Sequence, residues 1–332
     1  MTARAGSGDD SQNLEARPRP PFDLPRTVSV VICAYTERRW DSLVDAIESM
    51  HVQRHRPDQV IVVVDHNEAL LQRAHATFPG EVEVFANAEG TGLSGARNTG
   101  VRAARSDVVA FLDDDAEAEP GWLKELVDRY LPHVVGVGGM AVPVWPGNAR
   151  PGWFPQEFDW VVGCSYRGLP NTVGPQRNLI GASMSFRRLL FDEVGYFDTA
   201  MGRIGTLPLG CEETEFALRV RERFAGTDLV YVPFARVHHH VEAERTKVRY
   251  FLRRCYAEGI SKAAVAERAG SEQALASERN YVRSTLPKGI LDGVRAGIGG
   301  DAGGFARSIM IVLGLLTTTA GYVSPRLRKR KP

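Results

Sequence analysis

"VVAFLDDDAEAEPGWL", residues 108–123, is the stretch that decides the fold. Its five apolar residues, Val108 to Leu112, have the length and composition of a buried strand. That strand runs directly into three carboxylates, Asp113, Asp114 and Asp115. Because adjacent carboxylates repel one another, we expect positive charge to face this end of the strand.

Three earlier apolar runs have the same character as this strand. They are "VSVVIC" (28–33), "QVIVVV" (59–64) and "VEVFA" (82–86). Continuous apolar strands are typical of a parallel sheet that is covered on both faces. Between them the apolar residues recur at helical spacing, as in "SGARNTGVRAAR", where Ser94 is a plausible N-cap. The alternation predicts an α/β sheet with right-handed crossovers.

The pattern is looser beyond residue 120. Residues 143–178 are rich in Pro, Gly and Trp, and they predict a loop region on the acceptor side. The other predicted elements are a helix "GWLKELVDRYL", a strand "VVGVGGMAV", a helix "EETEFALRVRERF", a strand "DLVYVP" followed by "ARVHHHV", and a long helix "VRYFLRRCYAEGISKAAVAERA".

Bulk composition limits the class of protein. The chain has 332 residues, of which 43% are hydrophobic, so a sizeable core is expected. Its net charge of +1 argues against a nucleic-acid binder that relies on overall basicity. The four cysteines show no zinc-site spacing and no disulfide framework, which predicts free thiols in a reducing cytoplasm.

The two ends of the chain differ from the middle. Residues 1–26 have no apolar core, so they predict a disordered lead-in and not a signal peptide. In residues 269–332, "LPKGILDGVRAGIG" has one apolar stripe, and 308–323 are sixteen uncharged residues before a basic tail, "SPRLRKRKP". A span needs ~20 apolar residues. This segment therefore predicts an in-plane or re-entrant membrane helix as readily as a span, with a buried core helix as the alternative.

Polar residues follow each predicted strand of the sheet. Tyr35 and Glu37 follow the first strand, Asp65 and His66 follow the second, and the aspartates follow the fourth. Ligands of α/β sheets bind outside the carboxyl ends of the strands. Mg²⁺ prefers oxygen ligands, and it takes part of its shell from substrate phosphates. The alternative explanation for three consecutive aspartates is a solvated acidic loop. The polar residues that follow the other strands argue against that alternative.

At these positions the sequence resembles a known family. "VSVVICAYTE", "VIVVVD", "GLSGARNTGVRAARSDVVAFLDDDAEAEPGWL", "GASMSFRR" and "GCEETEFALRV" resemble family 2 glycosyltransferases with the GT-A fold, in the right order. The resemblance implies a Rossmann-like, mostly parallel sheet with helices on both faces in a catalytic domain at 27–268. C-terminal amphipathic and apolar helices would follow. It also implies an inverting transferase that uses a nucleotide-diphosphate sugar and Mg²⁺ or Mn²⁺.

Carried over residue by residue, the resemblance implies a nucleotide pocket and a metal site. The nucleotide pocket would be lined by Ala34, Tyr35, Glu37, Asp65, Arg97, Asn98, Asp113 and Asp114. Asp65 would accept a hydrogen bond from a uracil ring, although His66 stands where the family has a second acid. Asp113 and Asp115 match the ends of the D-x-D motif, with Asp115 as the direct metal ligand. His239 in "VHHHV" would help to hold metal or diphosphate, and its two neighbouring histidines would point to the opposite face.

The general base would come from the start of a helix. The family's Glu-Asp pair reads Glu212-Glu213 here, so Glu213 occupies the position of the base that accepts the proton of the acceptor hydroxyl. Glu215 would support and not catalyse. The alternative is that these acids only complement the helix dipole. Arg253 or Arg254 would reach the leaving diphosphate.

The resemblance also bears on the acceptor. The chain lacks the Gln-x-x-Arg-Trp motif of processive synthases, so we expect transfer of one sugar per encounter. Its C-terminus suggests a lipid-linked or glycan acceptor at the cytoplasmic face of the membrane. That arrangement is similar to glucuronosyltransferases that act on dolichyl- or polyprenyl-phosphate glucose. No nucleic acid is expected as a partner.

Two other functions remain as alternatives. A membrane-associated nucleotidyltransferase would carry a glycine-rich basic loop after its first strand, which "AYTERR" does not match. An inactive transferase-like scaffold would have lost Asp115 or Glu213, and both are present.

Overall fold

The structure is a computed structural model that describes residues 21–80, 82–201, 210–269 and 279–328. The predicted lead-in up to residue 20 and the tail residues 329–332 lie outside the described residues. The rest of the predicted lead-in is ordered: Phe22 is buried and packs edge-on against Phe224, with ring centroids 5.6 Å apart. The amide of Phe22 also donates to the Pro132 carbonyl at 2.8 Å, so Phe22 is held against the domain.

Nine strands form one sheet within the described residues. They are β1 Val28–Ala34, β2 Gln59–Val64, β3 Glu83–Ala86, β4 Val108–Asp113, β5 Ala116–Ala118, β6 Val134–Val144, β7 Gly174–Gln176, β8 Ser183–Arg187 and β9 Asp228–His240. The strand order is β3-β2-β1-β4-β8-β6-β9-β5, and β7 pairs with β9. The first four strands in this order are parallel, as the apolar runs predicted, whereas β8 is antiparallel to both β4 and β6.

Six of the described helices cover the two faces of the sheet, and three more, near the C-terminus of the chain, pack on one another. The α-helices are α1 Trp40–His51, α2 Glu68–Thr77, α3 Leu93–Ala103, α4 Trp122–Val127, α5 Leu189–Val194, α6 Glu212–Arg223, α7 Val248–Ala269, α8 Leu286–Ile298 and α9 Ala302–Arg328. A π-helical turn, Tyr281–Thr285, leads into α8. The α/β fold predicted from the alternating pattern is therefore confirmed.

The core follows from the alternation of side chains along the buried strands. Val30 and Ile32 of β1 face one side of the sheet, where they pack with residues of α1, α2 and α4. Val31 of β1 and Phe111 of β4 face the other side, with residues of α3, α5 and α6. Both faces are thus covered by apolar residues. This explains why the strands read as unbroken hydrophobic runs.

A bulge in β9 shifts the register in which its C-terminal half pairs with β6. β9 is longer than the predicted "DLVYVP", because it continues as far as His240. Gly139 of β6 pairs with Val232, whereas the next residue, Met140, pairs with Arg236, so residues 233–235 are extra. The backbone approaches Gly139 so closely that a Cβ there would lie 2.0 Å from the carbonyl oxygen of Ala235. Bulges of this kind re-aim side chains next to active sites.

The region 143–178 contains more regular structure than its composition predicted. It holds two 3₁₀ helices, Pro146–Asn148 and Gln156–Val162, besides β7. Phe158 in the second of these packs against Phe251 of α7, with ring centroids 5.2 Å apart. This contact belongs to an apolar cluster that joins the segment to α7, α8 and α9.

The C-terminal helix is longer than predicted, and it is docked on α7. The uncharged segment 308–323 lies inside the 27 residues of α9. A Cβ on Gly259 of α7 would lie 2.1 Å from the Thr318 carbonyl oxygen, and one on Gly321 would lie 2.1 Å from the Tyr256 carbonyl oxygen. Each helix thus uses a glycine to admit the backbone of the other. The glycine-rich composition of residues 296–306 predicts a flexible separation of this helix from the catalytic core. Because α9 is docked on α7, that prediction is wrong.

Candidate active site

A cavity of about 900 Å³ opens at the carboxyl ends of β1, β2 and β4, and we call it the central cavity. Its volume is near the top of the range of ~300–1,000 Å³ for small-molecule sites. Ala34, Tyr35 and Asp65 line it where the first two strands end, and the aspartates line it after β4. Residues of α6, α7 and α9 form the opposite wall. The cavity therefore has room for more than one substrate group.

Three residues at this edge form a group that could hold a metal ion. One ligand atom from each of Asp113, Asp115 and His239 lies within 4.8 Å of the others. His239 Nε2 is 3.2 Å from Asp115 Oδ1 and 3.9 Å from Asp113 Oδ2. Burial lowers the pKa of His239, which favours the neutral imidazole that binds metals. Two carboxylates and one imidazole, with space beside them, fit Mg²⁺ or Mn²⁺ that keeps ligand positions for water and phosphate.

Buried arginines supply the positive charge expected beside the three aspartates. Arg39 Nη1 lies 2.8 Å from Asp114 Oδ1 and 3.0 Å from Asp115 Oδ2. Arg245 Nη2 lies 3.6 Å from the same oxygen of Asp115. The arginines thus contact one carboxylate oxygen of Asp115, and the other oxygen faces His239. Burial raises the pKa of Asp114 to about 7, although Arg39 opposes this shift.

Arg97 connects the aspartates to the helix of the predicted base. Its side chain is buried in α3, where Nη1 lies 2.8 Å from Glu212 Oε1 and Nη2 lies 3.3 Å from Asp113 Oδ1. Nη2 also donates to the Gly181 carbonyl at 3.3 Å. Arg97 therefore lines the central cavity mainly as a bridge between Asp113 and Glu212.

Glu213 stands at the start of α6 with its side chain on the central cavity. Cys211 precedes this helix with φ 73°, a left-handed conformation that turns the chain sharply into α6. Burial, and then the adjacent Glu212 carboxylate, raise the pKa of Glu213 to about 8. Arg97 pairs with Glu212 and not with Glu213. Glu213 is thus suited to gain and lose a proton near neutral pH.

Asp65 is held in position by the loop that follows β3. Its Oδ1 accepts a hydrogen bond from Asn87 Nδ2 at 2.7 Å, and its Oδ2 accepts one from the Gly92 amide at 2.9 Å. The next residue, His66, has φ 50°, and its Nε2 lies 2.8 Å from the Glu89 carbonyl oxygen. The side chain of Asp65 is therefore fixed at the cavity edge.

Two residues of the predicted nucleotide pocket lie away from the cavity. Glu37 is exposed. Asn98 is buried, and its side chain makes three hydrogen bonds, at 2.9 Å with the backbone N–H and C=O of Phe197 and at 3.0 Å with Glu89. These bonds fix the segment before residue 201 and leave Asn98 facing the protein interior.

The histidine run alternates as expected for a strand. The side chain of His239 is 2% exposed, whereas those of His238 and His240 are 43% and 42% exposed. His238 and His240 contact Glu119 and Glu117 on the outer face.

The two adjacent arginines of α7 also differ in exposure. Arg254 lines the central cavity and Arg253 is exposed. Sequence reasoning missed Arg39 and Arg245, although "TERRW" and "AERTK" place both next to predicted site elements.

Comparison with curated proteins identifies a similar enzyme. Over 239 residues the chain is 38% identical to a glucosyl-dolichyl phosphate glucuronosyltransferase of Haloferax volcanii, covering 71% of this chain and 76% of that protein. A pre-mycofactocin glycosyltransferase of Mycobacterium tuberculosis is 27% identical over 262 residues, which are 76% of this chain and 50% of that protein.

Comparison with solved structures shows the GT-A fold. A mannosyltransferase from Pyrobaculum calidifontis in complex with GDP-Man and Mn²⁺ has a TM-score of 0.54 at 15% identity, over 91% of this chain and 89% of that chain. GalNAc-T7 with UDP, GalNAc and Mn²⁺ has a TM-score of 0.51 at 20% identity, over 73% of this chain and 50% of that chain. The model of the family "Glycosyl transferase family 2" matches residues 29–195. By this match and by its similarity to the Haloferax enzyme, the chain belongs to glycosyltransferase family 2.

Proposed function

We propose that this glycosyltransferase is an inverting, metal-dependent enzyme that transfers one sugar from a UDP-sugar to a lipid-linked acceptor at the cytoplasmic face of the membrane. The observation that carries the proposal is that Asp113, Asp115 and His239 share one cavity with Glu213. A metal centre and an acid of raised pKa in one cavity suit a displacement with a charged leaving group.

The donor would bind at the strand ends. Asp113, Asp115 and His239 would hold Mg²⁺ or Mn²⁺, and the metal would neutralise the diphosphate of the donor. Asp65 accepts hydrogen bonds at the cavity edge, which supports contact with the ring N–H of a uracil base. Tyr35 is 45% exposed beside it, a geometry that supports stacking on a base.

Glu213 would act as the general base. A carboxylate there accepts the proton of the acceptor hydroxyl while that oxygen attacks the anomeric carbon and the bond to the diphosphate oxygen breaks. Direct attack inverts the anomeric configuration. Arg97 would position both partners of the reaction, because it contacts Glu212 beside the base and Asp113 in the metal site.

The acceptor would be a lipid-linked sugar. The name of the Haloferax relative, a glucosyl-dolichyl phosphate glucuronosyltransferase, supports glucuronate as the transferred sugar and an isoprenyl-phosphate glucose as the acceptor. Asp115 is already surrounded by Arg39, Arg245 and His239. The remaining wall of the central cavity, formed by α7 and α9, would therefore receive that acceptor.

The C-terminal helix supports attachment to the membrane. Ala302–Pro325 is long and apolar enough to cross a bilayer, at about 1.5 Å per residue. One side of α9 packs along α7 and α8, however, so lipid cannot surround the helix. Its other side carries exposed apolar side chains: Phe305, Ile309, Val312, Leu313, Leu316 and Val323. These features support an in-plane helix at the membrane surface.

A donor screen tests the proposal. Release of UDP or GDP would be measured with UDP-glucuronate, UDP-glucose and GDP-mannose, with Mn²⁺ or with EDTA. We expect metal-dependent release from a UDP-sugar, and NMR of the transferred product should show an inverted anomeric centre. Metal-independent release, or a retained anomer, would contradict the proposal.

A further inference from the structure

The start of α6, which carries Glu213, has an unusual backbone geometry. Cys211 precedes the helix with φ 73°, a left-handed conformation that few residues other than glycine adopt. The helix also lacks a side-chain cap, because Cys211 accepts no hydrogen bond from the first turn. A strained residue persists only where its surroundings fix it. Contacts from outside the helix must therefore hold the turn that presents Glu213.

Part of this support comes from α7. The Oγ of Ser261 accepts a hydrogen bond from the Gly210 amide at 3.2 Å, and its own proton is donated to the Ala257 carbonyl at 3.1 Å. The Cys211 Sγ lies 3.5 Å from Oε1 of Glu258. Both residues of the turn thus contact α7. Ser261 is 4% exposed, so little water competes for its hydroxyl.

Apolar packing holds the turn against the same helix. Cys211 belongs to a small apolar cluster with Val265 and Ala266 of α7, and Tyr322 of α9 packs against this cluster. Packing of this kind is not directional, so it does not by itself set the angle of the backbone. The hydroxyl of Ser261 supplies the directional contact, because a hydrogen bond weakens steeply when its angle changes.

A second anchor fixes the same helix start from the metal group. Arg97 Nη1 lies 2.8 Å from Glu212 Oε1, and Arg97 Nη2 lies 3.3 Å from Asp113 Oδ1. Position 212 is thus tied to the metal group, and position 210 is tied to α7. Glu213 comes next in the chain, so its carboxylate depends on both anchors for its place in the central cavity.

We propose that Ser261 is a positioning residue for the general base, an assignment that rests on the proposed function. Ser261 is outside the lining of the central cavity, so it is not placed to touch a substrate. Its hydroxyl fixes the backbone at Gly210, and this fixes the direction in which α6 presents Glu213 to the acceptor hydroxyl. A general base needs its oxygen at hydrogen-bond distance from the proton that it removes. A small displacement of α6 would therefore lower the rate without changing donor binding.

The test begins with Ser261→Ala, which removes the acceptor with little change in volume and no loss of helix propensity. UDP release is measured from UDP-glucuronate with Mn²⁺, and glucosyl citronellyl phosphate serves as the acceptor. We expect kcat to fall about three- to tenfold, the range for one neutral hydrogen bond. The KM for UDP-glucuronate and the calorimetric affinity for UDP with Mn²⁺ should stay unchanged.

A double-variant cycle separates positioning of the base from general damage to the fold. In Glu213→Gln the base is already absent, so adding Ser261→Ala should not lower the residual turnover further. A loss of the same size in both backgrounds would mean that Ser261 acts on something other than the base, and the assignment would be overturned.

Ser49 offers a matched control. Its Oγ accepts a hydrogen bond from the Ala118 amide at 3.2 Å and donates one to the Ala46 carbonyl, so it makes the same pair of contacts from α1. Ser49→Ala should leave kcat unchanged, and an equal fall in kcat there would count against a specific role of Ser261. Ser261→Cys keeps a similar shape with a weaker acceptor. It should lower kcat in the same way, and it repeats the test if the alanine variant does not fold.

The remaining outcomes separate this assignment from the proposed function. If Ser261→Ala keeps the wild-type kcat, or instead raises the KM for UDP-glucuronate, Ser261 does not position the base and the transferase proposal stands. If Glu213→Gln keeps near-normal turnover, the proposed base is wrong and Ser261 has no base to position. If the wild-type chain releases no UDP from UDP-glucuronate, the proposed function fails and this assignment fails with it.

Discussion

Replacing Glu213 by glutamine tests the proposed base most directly. Glutamine keeps the shape of the side chain but cannot accept the proton of the acceptor hydroxyl. We expect turnover to fall by roughly 10² to 10⁴, the usual contribution of general-base catalysis. UDP affinity should change little, because Glu213 is not one of the three residues that could hold the metal.

The pH dependence adds a second readout. The pKa of Glu213 is raised to about 8 by burial and by Glu212, and the base acts only as the carboxylate. The rate should therefore increase with pH, and well below pH 8 kcat/KM should change by about tenfold per pH unit. In Glu213→Gln this dependence should disappear together with most of the activity.

The assay is UDP release at saturating Mg²⁺ from pH 6 to 9, with Glu222→Gln as the control. Glu222 lies on the same helix and is exposed, so the same chemical change there should leave both rate and pH profile intact. Near-normal turnover of Glu213→Gln, or an unchanged pH profile, would refute the assignment. Glu212, whose carboxylate is paired with Arg97, would then be tested next.

Three more perturbations test the metal site, the membrane surface and the helix contact. Asp115→Ala should abolish Mn²⁺-dependent UDP binding in calorimetry; unchanged affinity would remove Asp115 from the metal site. Leu316→Glu, on the exposed side of α9, should reduce flotation with anionic liposomes without shifting Tm, so a variant that floats as before would contradict the membrane contact. Gly321→Val should destabilise the fold by about 1–3 kcal/mol in chemical denaturation because its Cβ meets the Tyr256 backbone, and unchanged stability would argue against that docking.

The parallel half of the sheet was predictable because its strands are buried on both faces. Such strands are continuous apolar runs, and β1 and β2 begin and end within one residue of the runs "VSVVIC" and "QVIVVV". The bulge in β9 was not predictable, because it depends on the pairing partner in β6 and not on local sequence. The docking of α9 was not predictable for a similar reason. Gly259 and Gly321 allow close contact only between two helices that are far apart in sequence, so neither position is informative by itself.

In the candidate site, too, some residues were predictable from local sequence and others depended on tertiary contacts. Residues carried by motifs next to strand ends, such as Asp113, Asp115 and His239, come together in the structure. Asn98 has the right spacing but faces Phe197, because its direction is set by tertiary hydrogen bonds. Arg39 is close in sequence to a predicted pocket residue, yet its buried pairing with the aspartates required the fold.

The alternation of the three histidines has a consequence for insertions and deletions. Gain or loss of one residue in the bulge at 233–235 would shift the last part of β9 by one position and exchange its inner and outer faces. In most strands such a slip would replace a ligand by an unrelated side chain. Here His238 or His240 would take the inward position of His239, so the run of identical residues would keep an imidazole beside Asp113 and Asp115 after such a register error.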